Sequence, residues 1–379
     1  MPLPPHEHLA RALGKLGAPG ETAPPPGACL AVGTPDGRAV AAAGVAVAFD
    51  DDGPLASPPP LTPDTALDLG SVTKVLATTS ALMALVDDGA VRLSDRVGAL
   101  VPAAAGRAVA AASVADLLQH RAGLWEWWPT YLTASSPAEA LDVATGLPLR
   151  YPTGAGRHYS DLGFMLLGAV VAEAAGRPLD EAVAELVLRP YGLRHTRYAA
   201  PAPGLVVAAS SRGDRIEREM VRTGRPYPVT GDADGFPGWR EHVLAGEVND
   251  GNAFHAWGGT SGHAGLFSSV ADLLTAGTAW LAALDGAGPV GPATVRLFLE
   301  PGADPGQGLG FRRWRSAVEG CAVDVFGHTG FPGVAVGIVP AHSAVVVLGT
   351  NRLHVDGPPR DTESMWLPAL AAAHQSLHA

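Results

Sequence analysis

The chain has 379 residues, of which 47% are hydrophobic and 17% are charged, and its formal net charge is −11 at pH 7. This composition suits one large or two closely packed globular domains, and the negative charge argues against nucleic acid or an anionic membrane as the main partner. The only cysteines, Cys29 and Cys321, are too few for a disulfide framework or a paired C-x-x-C zinc motif. We expect two reduced thiols, and the alternative is one disulfide between Cys29 and Cys321.

The N-terminal stretch carries no visible export signal, because residues 1–8 lack a basic region followed by an apolar run. No apolar run approaches the roughly 20 residues that a membrane-spanning helix needs. A cytoplasmic location without membrane contact is therefore expected.

Both ends of the chain carry strand patterns. Residues 6–16 predict a short amphipathic helix, and residues 28–34 and 39–48 predict a hairpin around Pro35-Asp-Gly37. Near the C-terminus, four strands and a final helix are predicted at 312–318, 322–327, 333–340, 344–351 and 361–377.

These patterns predict an α/β fold in which an antiparallel sheet is flanked by helices and takes strands from both chain ends. The discontinuous α/β domain would comprise residues 1–75 and 246–379, and residues 76–245 would form an inserted all-helical domain. Within the insertion, residues 199–245 show mixed charge and no regular apolar pattern.

The stretch 64–89 combines a candidate nucleophile with a core helix. Ser71 stands in the first turn of the predicted helix and Lys74 three residues later, so their side chains share a face about 5–6 Å apart. A hydroxyl beside a base is the minimum apparatus for nucleophilic catalysis. Lys74 is one of only two lysines among 26 cationic residues, and a buried lysine, unlike arginine, can lose its proton. The alternative interpretation is structural: Ser71 caps the helix and the Lys74 side chain is solvated.

Three motifs follow one another along the chain: Ser71-Val-Thr-Lys74, Tyr159-Ser-Asp161 and His328-Thr-Gly330. Their order and spacing resembles the class C β-lactamase-like family of serine hydrolases, which includes D,D-peptidases, esterases and acyltransferases. Further segments agree at residues 117–124, 159–168, 190–193, 246–269 and 349–352. The resemblance covers nearly the whole chain and implies the fold of β-lactamases and penicillin-binding proteins.

The resemblance also implies a covalent mechanism with no metal or other cofactor. Ser71 would be the acylated nucleophile, Lys74 the base or proton relay, and Tyr159 the residue that carries protons to the leaving group. A tyrosine with an ordinary pKa of about 10 needs a nearby cation such as Lys74 for that task. The backbone N–H groups of Ser71 and Phe331 would form the oxyanion hole.

Two positions depart from the lactamase pattern of this family. His328 stands where a lysine is typical, which removes a permanent charge for a substrate carboxylate, and Asp161 stands where an asparagine is typical. An ionised Asp161 would favour a charged Lys74. We therefore predict that neutral esters are turned over far better than penicillins or cephalosporins. The expected substrate-binding residues are Asp161, His328, Thr329, Gly330, Trp125, Trp127 and Trp128.

The leading hypothesis is an intracellular serine hydrolase or acyltransferase that forms a Ser71 acyl-enzyme from a small ester or amide. Water, an amine or an alcohol would accept the acyl group, and a role in secondary metabolism is consistent with the family and with the alanine- and arginine-rich composition. One alternative is a D,D-peptidase or β-lactamase, and another is a catalytically inactive binding protein on the same scaffold. His120 and His263 are interpreted as structural, and the acidic stretch 247–252 as a loop near the site rather than a metal site.

Overall fold

A six-stranded antiparallel sheet is the centre of the computed structural model, which describes residues 5–318 and 321–377. The sheet strands, numbered here in chain order, are β1 (Gly27–Thr34), β2 (Gly37–Gly44), β3 (Arg312–Val318), β4 (Cys321–Thr329), β5 (Val334–Val339) and β6 (Ala344–Thr350). They lie side by side in the order β3-β4-β5-β6-β1-β2. Strand β1 therefore pairs with β6, with Leu30 opposite Leu348. The predicted antiparallel sheet built from both chain ends is confirmed.

Different helices cover the two faces of the sheet, because successive strand residues point to opposite sides. Leu30 of β1 packs in one apolar cluster with the helices Pro5–Leu16 and Thr362–Leu377. The next residue, Ala31, points the other way and joins the main core together with the helix Val270–Leu284. The alternation along β1 thus places one helical layer on each face.

Helices are the main regular elements of the chain between β2 and β3. Its α-helices are Ser80–Asp87, Val97–Leu100, Val114–Leu118, Pro137–Gly146, Asp161–Ala175, Leu179–Val183, Arg215–Thr223, Val270–Leu284 and Pro292–Leu299. The wider π-helical turns are Lys74–Thr79, Ala184–Leu188 and Asn252–Ala256. The tighter 3₁₀ turns, including one after β5, are Pro102–Ala104, Ala108–Ala111, Thr130–Leu132 and Pro340–His342.

The insertion at 76–245 is not all-helical as predicted. It also contains the short strands Arg197–Tyr198, Ala209–Arg212 and Val243–Ala245. The first pairs with Leu266–Ser268 and the other two pair with each other. Strands of two to four residues are too short to show the alternation by which a strand is predicted. The remaining short strands are Phe49–Asp50, Gly53–Pro54 and Leu67–Asp68.

One apolar core continues from the sheet into the inserted segment, since Ala31, Leu76 and Leu167 belong to the same buried cluster. The continuous core does not mark a boundary between the two predicted domains. The division into one domain of residues 1–75 and 246–379 and a second of residues 76–245 stays a prediction.

Two further expectations concern membranes and cysteines. Within the described ranges, no single helix is both long and apolar enough to cross a membrane, and the helices at 161–175 and 179–188 meet that test only together, across a bend of 75°. The cytoplasmic location stays a prediction. Burial, and to a smaller extent the charge of Asp64, raises the pKa of the Cys29 thiol to about 12. Cys29 is a buried free cysteine in the structure, and the side chain of Cys321 lies outside the described residues.

Candidate active site

Ser71 lies in a turn between the short strand Leu67–Asp68 and the first core helix. The Asp68 carboxylate accepts a hydrogen bond from the Gly70 N–H at 2.7 Å. Gly70 has a φ of 47°, in the left-handed region that glycine adopts readily. The π-helical segment Lys74–Thr79 follows and continues into an α-helix. The turn therefore presents Ser71 at the start of a buried helix.

The Lys74 ammonium is completely buried and has three acceptors. Its Nζ atom lies 2.8 Å from Ser71 Oγ, 2.7 Å from Asp161 Oδ1 and 3.2 Å from the backbone oxygen of His263. Burial lowers the pKa of Lys74, but the charges of Asp161 and Tyr159 and their hydrogen bonds outweigh burial and raise the pKa above its ordinary value. The resting Lys74 is therefore a buried cation that donates to Ser71 Oγ and the His263 oxygen and forms an ion pair with Asp161.

Tyr159 precedes the helix Asp161–Ala175 and lies beside the Lys74 ammonium. The centroid of its ring is 5.1 Å from Lys74 Nζ. Burial raises the pKa of Tyr159, whereas the Lys74 charge and hydrogen bonds from Lys74 and Ser71 lower it, and the net direction is upward. The resting phenol is therefore neutral, and it lies beside the Lys74 ammonium.

The backbone N–H groups of Ser71 and Phe331 are brought together by a close contact between two turns. In the part of the chain that the structure describes, neither N–H donates to a backbone acceptor. A Cβ atom on Gly70 would lie 2.5 Å from Pro332 Cδ and 3.3 Å from Phe331 N. The two turns can approach each other because residue 70 has no side chain. Their contact places both predicted oxyanion donors side by side.

His328, near the end of β4, is a neutral residue in the wall of the cleft. Its side chain is buried, and Nδ1 lies 2.7 Å from the Thr329 oxygen, so the proton is assigned to this nitrogen. Burial and then the charge of Lys74 lower the pKa of His328 well below its ordinary value. The imidazole does not supply the positive charge of the lysine that is typical at this position.

Two arginines that we did not predict bring positive charge to this region. Arg312 of β3 donates from Nη1 to Thr329 Oγ1 at 3.2 Å, and its Nη2 lies 3.0 Å from both carboxylate oxygens of Glu363. Burial and then the charge of Arg312 lower the pKa of Arg157, whose Nη1 lies 3.9 Å from Asp304 Oδ2. Both line the same cleft as Ser71. Arg312 is ion-paired with Glu363, which also lines the cleft, and the preference for neutral esters stays a prediction.

The cleft has a volume of about 920 Å³, and it brings together Ser71, Tyr159, Asp161, His328, Thr329, Gly330 and Phe331. Of the three predicted tryptophans, only Trp127 belongs to its lining, where it stacks on Tyr227 at 6.4 Å. Trp125 instead donates from Nε1 to the Pro148 oxygen at 3.0 Å and packs edge-to-face against Trp128. Trp125 and Trp128 therefore lie outside the cleft lining.

A comparison with known proteins gives the family. A family model described as Beta-lactamase matches residues 23–369. The chain belongs to the Beta-lactamase family. The resemblance carried by the three motifs and the predicted fold are thereby confirmed. Membership in this family makes the chain a serine hydrolase.

Members of the Beta-lactamase family that resemble this chain include two bacterial proteins. The N-acetylmuramyl-L-alanine amidase of Bacillus subtilis (strain 168) is 31% identical over 358 residues, which cover 87% of this chain and 78% of that protein. A putative D-alanyl-D-alanine carboxypeptidase of Escherichia coli (strain K12) is 29% identical over 338 residues, or 82% of this chain and 74% of that protein.

Solved structures share the Beta-lactamase family fold at lower identity. The D-amino acid amidase of Ochrobactrum anthropi SV3, complexed with L-phenylalanine amide, matches with a TM-score of 0.68 at 19% identity, over 99% of this chain and 97% of that one. A class C β-lactamase from Rhodobacter sphaeroides matches with a TM-score of 0.68 at 18% identity, over 98% of this chain and 100% of that one.

A further part of the wall in this Beta-lactamase family member comes from the helix Arg215–Thr223, which we did not predict. Glu217 of this helix lines the cleft and accepts a hydrogen bond from the Tyr131 hydroxyl at 3.0 Å. Asp250 also lines the cleft and lies 2.9 Å from His263 Nε2. Among the residues at 5–318 and 321–377, no group of three or more His, Cys, Asp or Glu side chains has the arrangement to hold a metal ion.

Proposed function

We propose that the chain is a serine amidohydrolase that forms a Ser71 acyl-enzyme from a peptide-like amide and binds a substrate carboxylate beside Thr329. The observation that carries the proposal is the Arg312 guanidinium, 3.2 Å from Thr329 Oγ1 in the cleft that also contains Ser71. A guanidinium binds carboxylates through paired N–H donors. The names of the bacterial relatives, an amidase and a carboxypeptidase, agree with an amide substrate.

Acylation would use the resting protonation states described above. Ser71 Oγ attacks the carbonyl carbon of the amide as its proton passes to Tyr159 Oη, and Tyr159 gives its own proton to the leaving nitrogen. The phenol stays neutral overall, and the charged Lys74 stabilises the partial negative charge that its oxygen gains as its own proton leaves for the nitrogen before the Ser71 proton has fully arrived. The carbonyl oxygen, which gains negative charge, accepts hydrogen bonds from the Ser71 and Phe331 N–H groups. The C–N bond breaks, and the amine leaves with the proton it received.

Deacylation would run through the same groups in reverse. A water molecule attacks the ester carbon of the acyl-enzyme, gives a proton to Tyr159, and Tyr159 returns a proton to Ser71 Oγ. Transfer of the acyl group to an amine or alcohol would follow the same route and stays a prediction, as does a role in secondary metabolism. Arg312 favours the D,D-peptidase alternative over an esterase of neutral substrates.

The test measures kcat/KM for an Nα-acyl-D-Ala-D-Ala peptide, for its C-terminal amide, for the L,L peptide and for a neutral chromogenic ester, each with and without an added amine. The free carboxylate is expected to be preferred over the amide by about tenfold or more, the scale of a charge-assisted hydrogen bond. Arg312→Gln combined with Glu363→Gln removes the cation without leaving an unpaired carboxylate, and it should abolish this preference.

Arg313→Gln is the matched control. Arg313 is the next residue of β3, so its side chain leaves the opposite face of the sheet, and its Nη2 pairs with Asp324 at 2.6 Å. This variant should keep the wild-type preference. Faster turnover of the neutral ester than of the peptide, with a ratio that does not change in the Arg312 variant, would show that the carboxylate assignment is wrong.

A further inference from the structure

We infer that His120 is a positioning residue that holds Tyr159 in place for the proton transfer proposed above. The His120 carbonyl accepts a hydrogen bond from the His158 N–H at 2.8 Å, and His120 Nδ1 accepts one from the Ser160 N–H at 3.0 Å. These two donors belong to the residues immediately before and after Tyr159. A single residue thus fixes the backbone on both sides of the phenol.

The His120 ring also contacts the phenol itself. Its centroid lies 4.7 Å from that of Tyr159 and 5.2 Å from that of Phe164, a wholly buried residue of the helix Asp161–Ala175. The imidazole is therefore held between the core and the Tyr159 ring. This packing restricts rotation of the phenol and keeps its hydroxyl near Ser71 and Lys74.

The backbone of His120 has the conformation that this double contact requires. Its φ is 56°, in the left-handed region that residues with a side chain adopt rarely. Such conformations persist where the surrounding structure fixes them, often at functional sites. A glycine would be relaxed here, but it would lack the imidazole acceptor for the Ser160 N–H. Burial, followed by the charge of Lys74, lowers the pKa of His120 well below its ordinary value, which keeps Nδ1 available as an acceptor.

The interpretation of His120 as merely structural makes a different prediction from a positioning role. A structural residue contributes to folding, and its loss adds to the loss from any other substitution. A residue that acts through Tyr159 matters for the chemical step only while the phenol is present. The two cases are separated by a double-mutant cycle with Tyr159→Phe.

The cycle uses His120→Asn and His120→Ala, each alone and with Tyr159→Phe. His120→Ala should lower kcat by about 10- to 100-fold, the scale of a misplaced catalytic group, with KM changed less than about threefold because the Arg312 region is untouched. Asparagine tolerates the left-handed conformation and keeps an acceptor, so His120→Asn should recover part of the loss. In the Tyr159→Phe background, either change should lower kcat by less than about threefold.

His354→Ala is the matched control. His354 is also a buried imidazole, it accepts the Ala48 N–H through Nε2 at 3.0 Å, and it stacks on Phe49 at 3.9 Å, outside the cleft lining. This variant should lower the midpoint of thermal unfolding and leave the kcat of the folded enzyme unchanged.

Each outcome of the cycle is informative. A slow Tyr159→Phe enzyme with additive losses from the His120 variants would overturn the positioning role and leave the proposed function in place. A Tyr159→Phe enzyme at the wild-type rate would instead overturn the proposed proton transfer. If His120→Ala does not fold, the same cycle is run with His120→Asn. An unchanged kcat in His120→Asn, together with a full loss of kcat in His120→Gly, would show that the positioning depends on the acceptor atom and not on the imidazole ring.

Discussion

The two parts of the cleft differ in how exposed their side chains are. Around Ser71, the Lys74 ammonium has no exposed surface and three acceptors within 3.2 Å. The recognition wall, which comprises Arg312, Thr329, Glu363 and the helix Arg215–Thr223, is more open: the side chains of Arg312 and Glu363 are 23% and 41% exposed. Chemistry needs fixed distances, and buried groups provide them, whereas a ligand from solvent needs groups it can reach. Changes around Ser71 should therefore lower kcat, and changes in the wall should alter selectivity.

The largest effect is expected at the nucleophile. Ser71→Ala removes the atom that is acylated, so turnover should fall by about 10⁴-fold or more. Lys74 keeps its contacts with Asp161 and the His263 oxygen, so the fold should remain. Mass spectrometry after treatment with an activated ester or a phosphonate should show no adduct. The control Ser135→Ala, at an exposed serine bonded to Glu139, should be labelled fully, and an adduct on the Ser71→Ala protein would place the nucleophile elsewhere.

The next effect concerns the contact that joins the two turns. In Gly70→Ala the added Cβ meets Pro332 Cδ at 2.5 Å, so the Phe331 N–H must move away from Ser71. The loss of one oxyanion donor costs about 10²–10³-fold in kcat. Gly89→Ala is the control, because Gly89 has a similar φ of 74° but open space around its Cβ. The Gly89→Ala variant should lower the unfolding temperature and leave kcat unchanged. Equal kcat values in the two variants would show that the contact does not shape the oxyanion hole.

The smallest effect concerns the charge of Lys74 and appears as a shift with pH. The Asp161 charge keeps the pKa of Lys74 above its ordinary value, against the effect of burial. In Asp161→Asn that pKa falls, so Lys74 loses its proton at lower pH and no longer stabilises the phenol oxygen. The alkaline loss of kcat/KM should therefore move to lower pH, with less than about a tenfold change near pH 7.

The control for the pH shift is Asp142→Asn, which removes an exposed partner of Arg107. Its profile of kcat/KM against pH should match that of the wild type. Faster turnover by the Asp161→Asn enzyme near pH 7 would contradict the assignment of Lys74 as a cation and identify it as the general base.

The region around Ser71 could be predicted because its geometry is local. Ser71 and Lys74 are one helical turn apart, and a helix fixes their distance whatever surrounds it. Tyr159 and Phe331 lie far away in sequence, and only the family resemblance connected them with Ser71. The confirmed sheet followed from strand patterns at both ends of the chain, which are among the clearest signals in the sequence.

The recognition wall could not be predicted, because separate elements bring it together. Arg312 reaches Thr329 through the pairing of β3 with β4, where it lies opposite Gly327, and a sequence does not give that register. The helix Arg215–Thr223 was missed although Ile216 and Met220 stand four residues apart, which is a helical spacing. That these two side chains line the cleft could not be read from the sequence. Adjacent tryptophans likewise share no fixed direction in a loop, so only Trp127 faces the cleft.

The pairing of β1 with β6 has a consequence for the newly made protein. The Gly27 N–H donates to Asn351 Oδ1 at 2.8 Å across a separation of 324 residues. Synthesis proceeds from the N-terminus, so β1 has only β2 as a neighbour until the final strands leave the ribosome. The Phe331 N–H arrives at Ser71 at the same late stage. A nascent chain that has released Ser71 but not yet β4 to β6 therefore lacks one of the two proposed oxyanion donors, and formation of the proposed acyl-enzyme would have to wait for these strands.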